Sequence, residues 1–225
     1  MRFVTVFAEG QTEREFIDDV LNPYVWPRGV SFTAKIVDTR PTRASEASHQ
    51  GGFTTYNKAK KQLLTLLGNS SACLVTTMLD YYRLPTDYPG MQEATAKQGT
   101  PQQRVAYIES KLKVDINHPR FLPYLAVHDF EALLFSEPQQ IAEWLGVVDP
   151  NKQQTLQAIR DRHPTPEDIN LNNPPGKHIS TLFPVYDKVG DGALIADAIG
   201  IDAMRRECPH FHAWLEYIEQ RCKEA

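Results

Sequence analysis

The chain opens on a short β-rich apolar run, residues 2 to 8, that stops at Gly10. Beyond it the apolar residues take a helical period, at Phe16, Val20, Leu21 and Tyr24, which predicts strand, tight turn and helix in that order. Thr12 followed by Glu15 has the spacing of a capping box, so the helix is expected to begin at Thr12 and fade near Asn22-Pro23. A second β-rich run, VSFTAKIV, covers 30 to 37, and the polar segment 38 to 53 with Pro41, Gly51 and Gly52 predicts a long loop. Tyr56, Leu63, Leu64 and Leu67 mark an amphipathic helix ending at Gly68-Asn69. Residues 72 to 79, ACLVTTML, are apolar without alternation and end at Asp80, the pattern of a central parallel strand covered on both faces. The Pro-, Gly- and Tyr-rich stretch from 81 to 100 is an excursion of the kind that carries function or moves in a compact domain. A helix from Pro101 to Lys113, a strand at FLPYLAV (121 to 127) and a helix entered through HDFEALLF follow.

Strands alternating with helices imply βαβ units, and so an α/β fold with a mostly parallel, Rossmann-like sheet flanked by helices. After Leu145-Gly146 the β signal disappears, leaving a helical run near 150 to 161, the passage TPEDINLNNPPGK and three short helical stretches. Residues 1–148 are therefore expected to form the α/β core. Residues 149–225 are expected to be a helical extension packed on it, because about 75 residues so interrupted make a thin core alone.

Composition narrows the chemistry. With 225 residues, 41% of them hydrophobic, the chain can hold a core without disulfides or a structural metal. Cys73, Cys208 and Cys222, an odd number at long spacings, fit reduced thiols. The absence of an 18-residue apolar run and of a signal-type N-terminus makes the cytoplasm the expected compartment, with no membrane partner. A net charge of −4 supplies no global field for nucleic acid, so phosphate binding has to come from a local patch or a metal ion.

Ligands in open parallel sheets bind outside the carboxyl ends of the strands, and here those ends are acidic. The first strand ends at Glu9, the central strand at Asp80, and the strand at 121 to 127 runs into Asp129 and Glu131. One Asp at a strand end is ordinarily a turn or cap residue. Several on one edge repel each other unless a cation compensates them, and oxygen-only ligation suits Mg²⁺ or Mn²⁺. The expected chemistry is metal-assisted phosphoryl or phosphodiester cleavage. Glu13 either joins Glu9 or merely complements the helix dipole, and Gly10 is a candidate for offering amides to a phosphate.

The blocks AEGQTEREF (8–16), TTMLDYYRLPTDYPG (76–90), HDFEALLF (128–135) and CPHFHAWL (208–215) resemble the bacterial family known as domain of unknown function 4276 over nearly the whole chain. That family in turn resembles the Toprim fold of topoisomerases, primases and overcoming-lysogenization-defect (OLD) nucleases. The resemblance implies a Mg²⁺-binding site in which Glu9 is the first acid, Asp80 the leading residue of an Asp-x-Asp motif and Glu131 a later acid. Family members often stand beside ATPases in apparent phage-defence loci, which implies a partner ATPase. Tyr82 departs from the Toprim pattern, since it stands where the second Asp is expected, and Asp129 or Asp87 would have to supply the missing ligand unless only one metal binds.

A nuclease also needs positive charge near the scissile phosphate. Lys177 in PPGKHIS is the first choice for a catalytic cation, because a glycine precedes it in a loop that can fold over the sheet edge, with Lys188 and Arg83 as further candidates. Arg40, Arg43, Lys58, Lys60 and Lys61 around Gly51-Gly52 form either a phosphate patch or a solvated face. Tyr81, Tyr82 and Tyr88 either stack on bases or pack their loop on the body. His128 is a partner of the acids, a general base or a packed strand-end histidine. Cys208, His210 and His212 match none of the usual zinc spacings. Walker A, G-x-G-x-x-G and G-x-S-x-G sequences are absent, which removes local support for P-loop, dinucleotide and serine-hydrolase readings. The expected partners are DNA or RNA as substrate and an ATPase, and a homo-oligomer is as compatible with the sequence as a monomer. The alternative function is a non-catalytic subunit that binds an ATPase or nucleic acid.

Overall fold

The structure, a computed structural model, describes residues 1–38, 55–96, 99–146, 149–169 and 173–224. Among the described residues five strands form one sheet: β1 (Arg2–Ala8), β2 (Val30–Ile36), β3 (Ala72–Asp80), β4 (Phe121–Leu122) and β5 (Leu125–Ala126). Their order is β2-β1-β3-β4, with β5 also on β3, and every pairing is parallel. The chain leaves β1 for one neighbour, β2, and then crosses to the other, β3, so the fold reverses direction between β1 and β3, where open α/β sheets bind ligands.

β3 shows why an unalternating apolar run belongs at the centre. Leu74 and Met78 enter one hydrophobic cluster and Val75 and Leu79 the other, on opposite faces of the sheet. The second cluster is closed by α3 (Tyr56–Gly68), α4 (Met91–Ala96) and α5 (Pro101–Ile116). On the first face lies an N-terminal helical run made of α1 (Gln11–Glu15), a π-helical turn (Phe16–Leu21) and α2 (Asn22–Val25). The same face carries a 3-10 helix (Phe130–Ser136) and the helices α6 (Pro138–Trp144), α7 (Pro150–Asp161), α8 (Pro175–Leu182), α9 (Lys188–Ile199), α10 (Ile201–Glu207) and α11 (Pro209–Glu224). Residues on both sides of position 149 thus share one core, in which Phe16, Phe130, Phe211 and Trp214 meet. Among the described residues no helix is long and apolar enough to cross a membrane.

The structure departs from the sequence reading in several local places. The first helix starts at Gln11 with Gly10 as its N-cap, and Glu13 rather than Glu15 accepts the reciprocal bond from the Gly10 N–H, at 2.9 Å. The helix also continues through Pro23, because a widened π turn precedes it, ending with the Asn22 N–H bonded to the Ile17 carbonyl. The run 121 to 127 is two short strands instead of one, because Pro123 has no N–H for the ladder. The Thr77 hydroxyl fills the gap, donating to the Tyr124 carbonyl at 2.7 Å and accepting from the Tyr124 N–H at 2.8 Å. HDFEALLF enters a 3-10 helix, and among the described residues the C-terminal region has four helices after residue 173, because Gly200 at φ +81° separates α9 from α10.

Candidate functional site

The carboxyl ends of the three strands lie side by side. Ala8 is in register with Met78, and Asp80 with Ala126, so Glu9, Asp80 and the segment 127 to 131 emerge at one edge. Glu9 is tied to β3 directly: its amide donates to the Met78 carbonyl at 3.0 Å, and its Oε2 accepts from the Asp80 N–H at 2.8 Å. Glu13 comes from the first turn of α1, while Asp129 stands at the N-cap position of the 3-10 helix without a side-chain capping bond and Glu131 lies in its first turn. Glu13, Asp80, Asp129 and Glu131 are all buried, and a small cavity of about 10 Å³, room for one water, is bordered by Glu13, Asp80 and Asp129.

Burial of so many acids raises their proton affinity. Desolvation, followed by the repulsion of Glu13, pushes Glu9 up to about 7 against the bond from the Asp80 amide. Asp129 is pushed up to about 7 by burial and then by Glu131. Asp80 rises well above the usual carboxylate range through burial, Glu9 and Glu13, and Glu13 is raised mainly by burial. Among the described residues Asp80 Oδ2 and Asp129 Oδ1 have no hydrogen-bond partner although they are buried.

The cation that answers this charge is Lys188, the first residue of α9. Its Nζ lies 2.9 Å from Glu131 Oε2, and its field also lowers the proton affinity of Glu9, Glu13, Asp80 and Asp129. Burial alone would make the lysine easier to deprotonate, but Glu131, Asp80, Asp129 and Glu13 hold it above its ordinary range. Tyr186, two residues earlier, donates to Glu131 Oε1 at 3.3 Å. Gly192 lets α9 approach closely, since a Cβ there would sit 3.2 Å from Phe130 and 3.5 Å from Thr12 of α1. Arg83, exposed on the rim, reaches Glu9 Oε1 at 3.5 Å.

The sequence reading thus placed the acids on one edge and expected them to converge as ligands on one ion. As the structure stands, among the described residues no group of three or more His, Cys, Asp and Glu side chains is arranged to hold a metal. The Lys188 ammonium compensates part of the repulsion among these carboxylates. The donor chemistry, oxygen-only with two buried unpartnered carboxylate oxygens, still fits a hard divalent cation.

The other candidates are distributed as follows. Lys177 is exposed on α8, and its neighbour Gly176 is the residue that meets the acids, donating its N–H to Asp129 Oδ2 at 3.2 Å. Asp87 accepts from the Tyr56 N–H at the start of α3, at 2.8 Å. Tyr82 is half-buried at the rim under Arg83, whose Nε donates to its hydroxyl at 2.8 Å, whereas Tyr81 and Tyr88 are buried and pack their loop on the body. The Gly10 amide donates to Glu13 Oε2. His128 is buried with neither ring nitrogen hydrogen-bonded, and desolvation lowers it to about 4. Cys208, His210 and His212 turn to different partners: Ser136, Glu109 and Arg205. Lys60 pairs with Asp115 at 2.7 Å, on the side of α5, while Arg40, Arg43, Gly51 and Gly52 lie outside the described residues. Glu167, which the sequence reading passed over, is buried and accepts from the His210 and Phe211 N–H groups, capping α11.

Two expectations follow from this packing. A Cβ at Gly176 would sit 2.9 Å from Glu131 Oε1 and 3.1 Å from Asp129 Oδ2. Gly176→Ala should therefore destabilise the protein by about 1–3 kcal/mol in urea denaturation, although alanine is the better helix former. A gain in stability would show that α8 does not press on the acids.

The second expectation concerns pH. Glu9 and Asp129 have folded values of about 7, above their ordinary 4.5 and 3.8, so the folded state holds protons that the unfolded chain has released. The stability they contribute is present below about pH 4 and is lost as pH rises through about 7. His128 opposes this, since its folded value of about 4 lies below its ordinary 6.5, and it loses stability as pH falls through that window. Thermal melts of metal-free protein between about pH 5 and pH 8 should show Asp129→Asn losing about 2 kcal/mol less stability than wild type over that range. Parallel curves would mean that Asp129 does not titrate there.

Together, fold and site define an α/β protein with a buried acidic rim at the point where the strand order reverses. The chain belongs to the family described as domain of unknown function DUF4276, which matches it over residues 8–219. No curated protein matches it. Among solved structures it is similar to the C-terminal region of the Burkholderia pseudomallei OLD protein, with 14% identity, 98% of each chain covered and a TM-score of 0.47.

Proposed function

We propose that this chain is a Mg²⁺- or Mn²⁺-dependent nuclease that hydrolyses phosphodiester bonds of DNA or RNA, acting in bacterial phage defence. One observation carries the reading: acids from three separate strand ends crowd one buried rim, beyond what a single lysine compensates. Glu9, Asp80, Asp129 and Glu131 would hold the ion, with Glu13 as an auxiliary acid. Bound there, the ion would polarise the phosphate and acidify an attacking water. Glu9 also orients the end of β3 through the Asp80 amide, and Gly176 holds the Asp129 carboxylate in place. Arg83 and Lys188 stand beside the rim to offset charge that develops on the phosphate, a part the sequence reading gave first to Lys177.

The test is cleavage of DNA, RNA and tRNA by the full chain with Mn²⁺ or Mg²⁺. Wild type should cut at least about 100-fold faster than Glu9→Gln. Equal rates would remove the proposal.

A second reading, a subunit that docks on a partner ATPase or on nucleic acid without cutting it, is favoured by Tyr82 in place of a second acid and by the lysine already seated among the carboxylates. Co-purification of an ATPase encoded in the native operon, together with no heat of Mn²⁺ binding, would support it over the nuclease.

A further inference from the structure

The sulfur atoms of Cys73 and Cys222, 149 positions apart in sequence, lie 2.9 Å from each other. Cys73 is the second residue of β3 and Cys222 sits in the last turn of α11. Their meeting is imposed by the fold. The indole N–H of Trp214, about two turns before Cys222, donates to the Thr76 hydroxyl on β3 at 2.9 Å, and the ring stacks on Tyr124 at 4.7 Å, so α11 is locked to the strand. The sulfurs need to close by less than about 1 Å to reach the ~2.05 Å of a covalent bond. The third cysteine, Cys208, is fully buried against Ser136 and belongs to neither partner.

We propose that Cys73 and Cys222 are a peroxide-reactive pair, Cys73 being the attacking sulfur and Cys222 the resolving one. Cys73 is partly exposed and Cys222 is buried, which fixes the order in which an oxidant reaches them. The Cys222 thiol hydrogen-bonds to Cys73 and, with help from the charge of Arg2, lowers Cys73 to about 7, while the same contact and burial raise Cys222. A thiolate that is accessible and sits beside a second thiol is the arrangement that oxidises selectively.

The chemistry balances with a hydroperoxide as the oxidant. The Cys73 thiolate attacks the outer oxygen, the O–O bond breaks, and the leaving oxygen takes up the proton that Cys73 released, giving a sulfenic acid and one water or alcohol. The Cys222 sulfur then attacks the Cys73 sulfur, its proton leaves with the hydroxyl as water, and the S–S bond forms. Two thiols are oxidised and one peroxide is reduced. The cross-link would tie the amino end of β3 to the C-terminal helix, at the opposite end of the strand from Asp80, so this inference stands or falls separately from the proposed nuclease.

Treatment of the full-length wild-type protein with a small excess of hydrogen peroxide tests it. The intact mass should fall by about 2 Da and return on reduction by a thiol. Proteolytic mapping should join the Cys73 peptide to the Cys222 peptide and leave Cys208 open to alkylation. Cys222→Ser should instead accumulate a sulfenic acid at Cys73, trapped by dimedone with the protein folded by circular dichroism. Wild type that keeps three alkylatable thiols, or that oxidises first at Cys208 or between molecules, would overturn the proposal, and the mapping decides this even if the variant fails to fold.

Discussion

Asp80→Asn should abolish the metal-dependent cleavage proposed for this chain and at the same time make the metal-free protein more stable. Asp80 is 2% exposed, carries an unpartnered carboxylate oxygen and stands in the fields of Glu9, Glu13 and Asp129, which together with burial raise its proton affinity far above the ordinary range. In the folded, metal-free protein, holding a charge on Asp80 is therefore costly. Asparagine keeps the shape and removes the charge, so stability should rise by about 1 kcal/mol, roughly 2–4 °C in a chain of this size. Cleavage should fall by at least about 100-fold, since even an outer partner of a metal site costs up to that much. The two effects together are the mark of a strained functional acid. A variant that loses stability and keeps its Mn²⁺ response would place Asp80 among the structural residues, as a strand-end turn former.

The converse experiment removes the compensating cation. Lys188→Met leaves Glu131, 1% exposed, with the Tyr186 hydroxyl and takes away an ammonium whose field reaches all five acids. Removing one partner of a buried pair is costly because the other stays charged and desolvated. The loss should be about 3 kcal/mol near pH 8, the lower end of the range for buried pairs, because 34% of the Lys188 side chain reaches solvent. At about pH 5 the penalty should shrink, because the raised acids take up protons. Mn²⁺ should raise the melting temperature of this variant more than that of wild type, since an ion entering the rim of wild type has to compete with the lysine. Equal Mn²⁺ shifts in both proteins would show that the lysine and the ion do not share the site.

Much of the architecture follows from short-range pattern. The run ACLVTTML could be recognised as a buried central strand because a strand covered on both faces needs apolar side chains at every position, and that requirement is visible in one dimension. The acids at Glu9, Asp80, Asp129 and Glu131 were visible for the same reason: they follow strands, and parallel strands bring their ends to one edge whatever lies between them. The local errors came from residues whose role depends on a neighbour in space. Glu15 has capping-box spacing from Thr12, yet the turn after β1 begins the helix one residue earlier and hands the capping bond to Glu13. Pro123 shows the limit of reading a strand by apolar content alone, since the ladder survives there only through a threonine hydroxyl on the adjacent strand.

By itself the sequence determined the α/β class, the central strand and the set of acids at the strand ends, because these depend on periodicity and on position within an element. Only the tertiary structure decided that Lys188 and not Lys177 faces Glu131, that Gly176 and Gly192 let two helices close on the rim, and that Cys73 meets Cys222. Each of those contacts joins residues tens of positions apart through the angle at which one helix packs. That angle is set by the summed burial of a shared core rather than by any local signal.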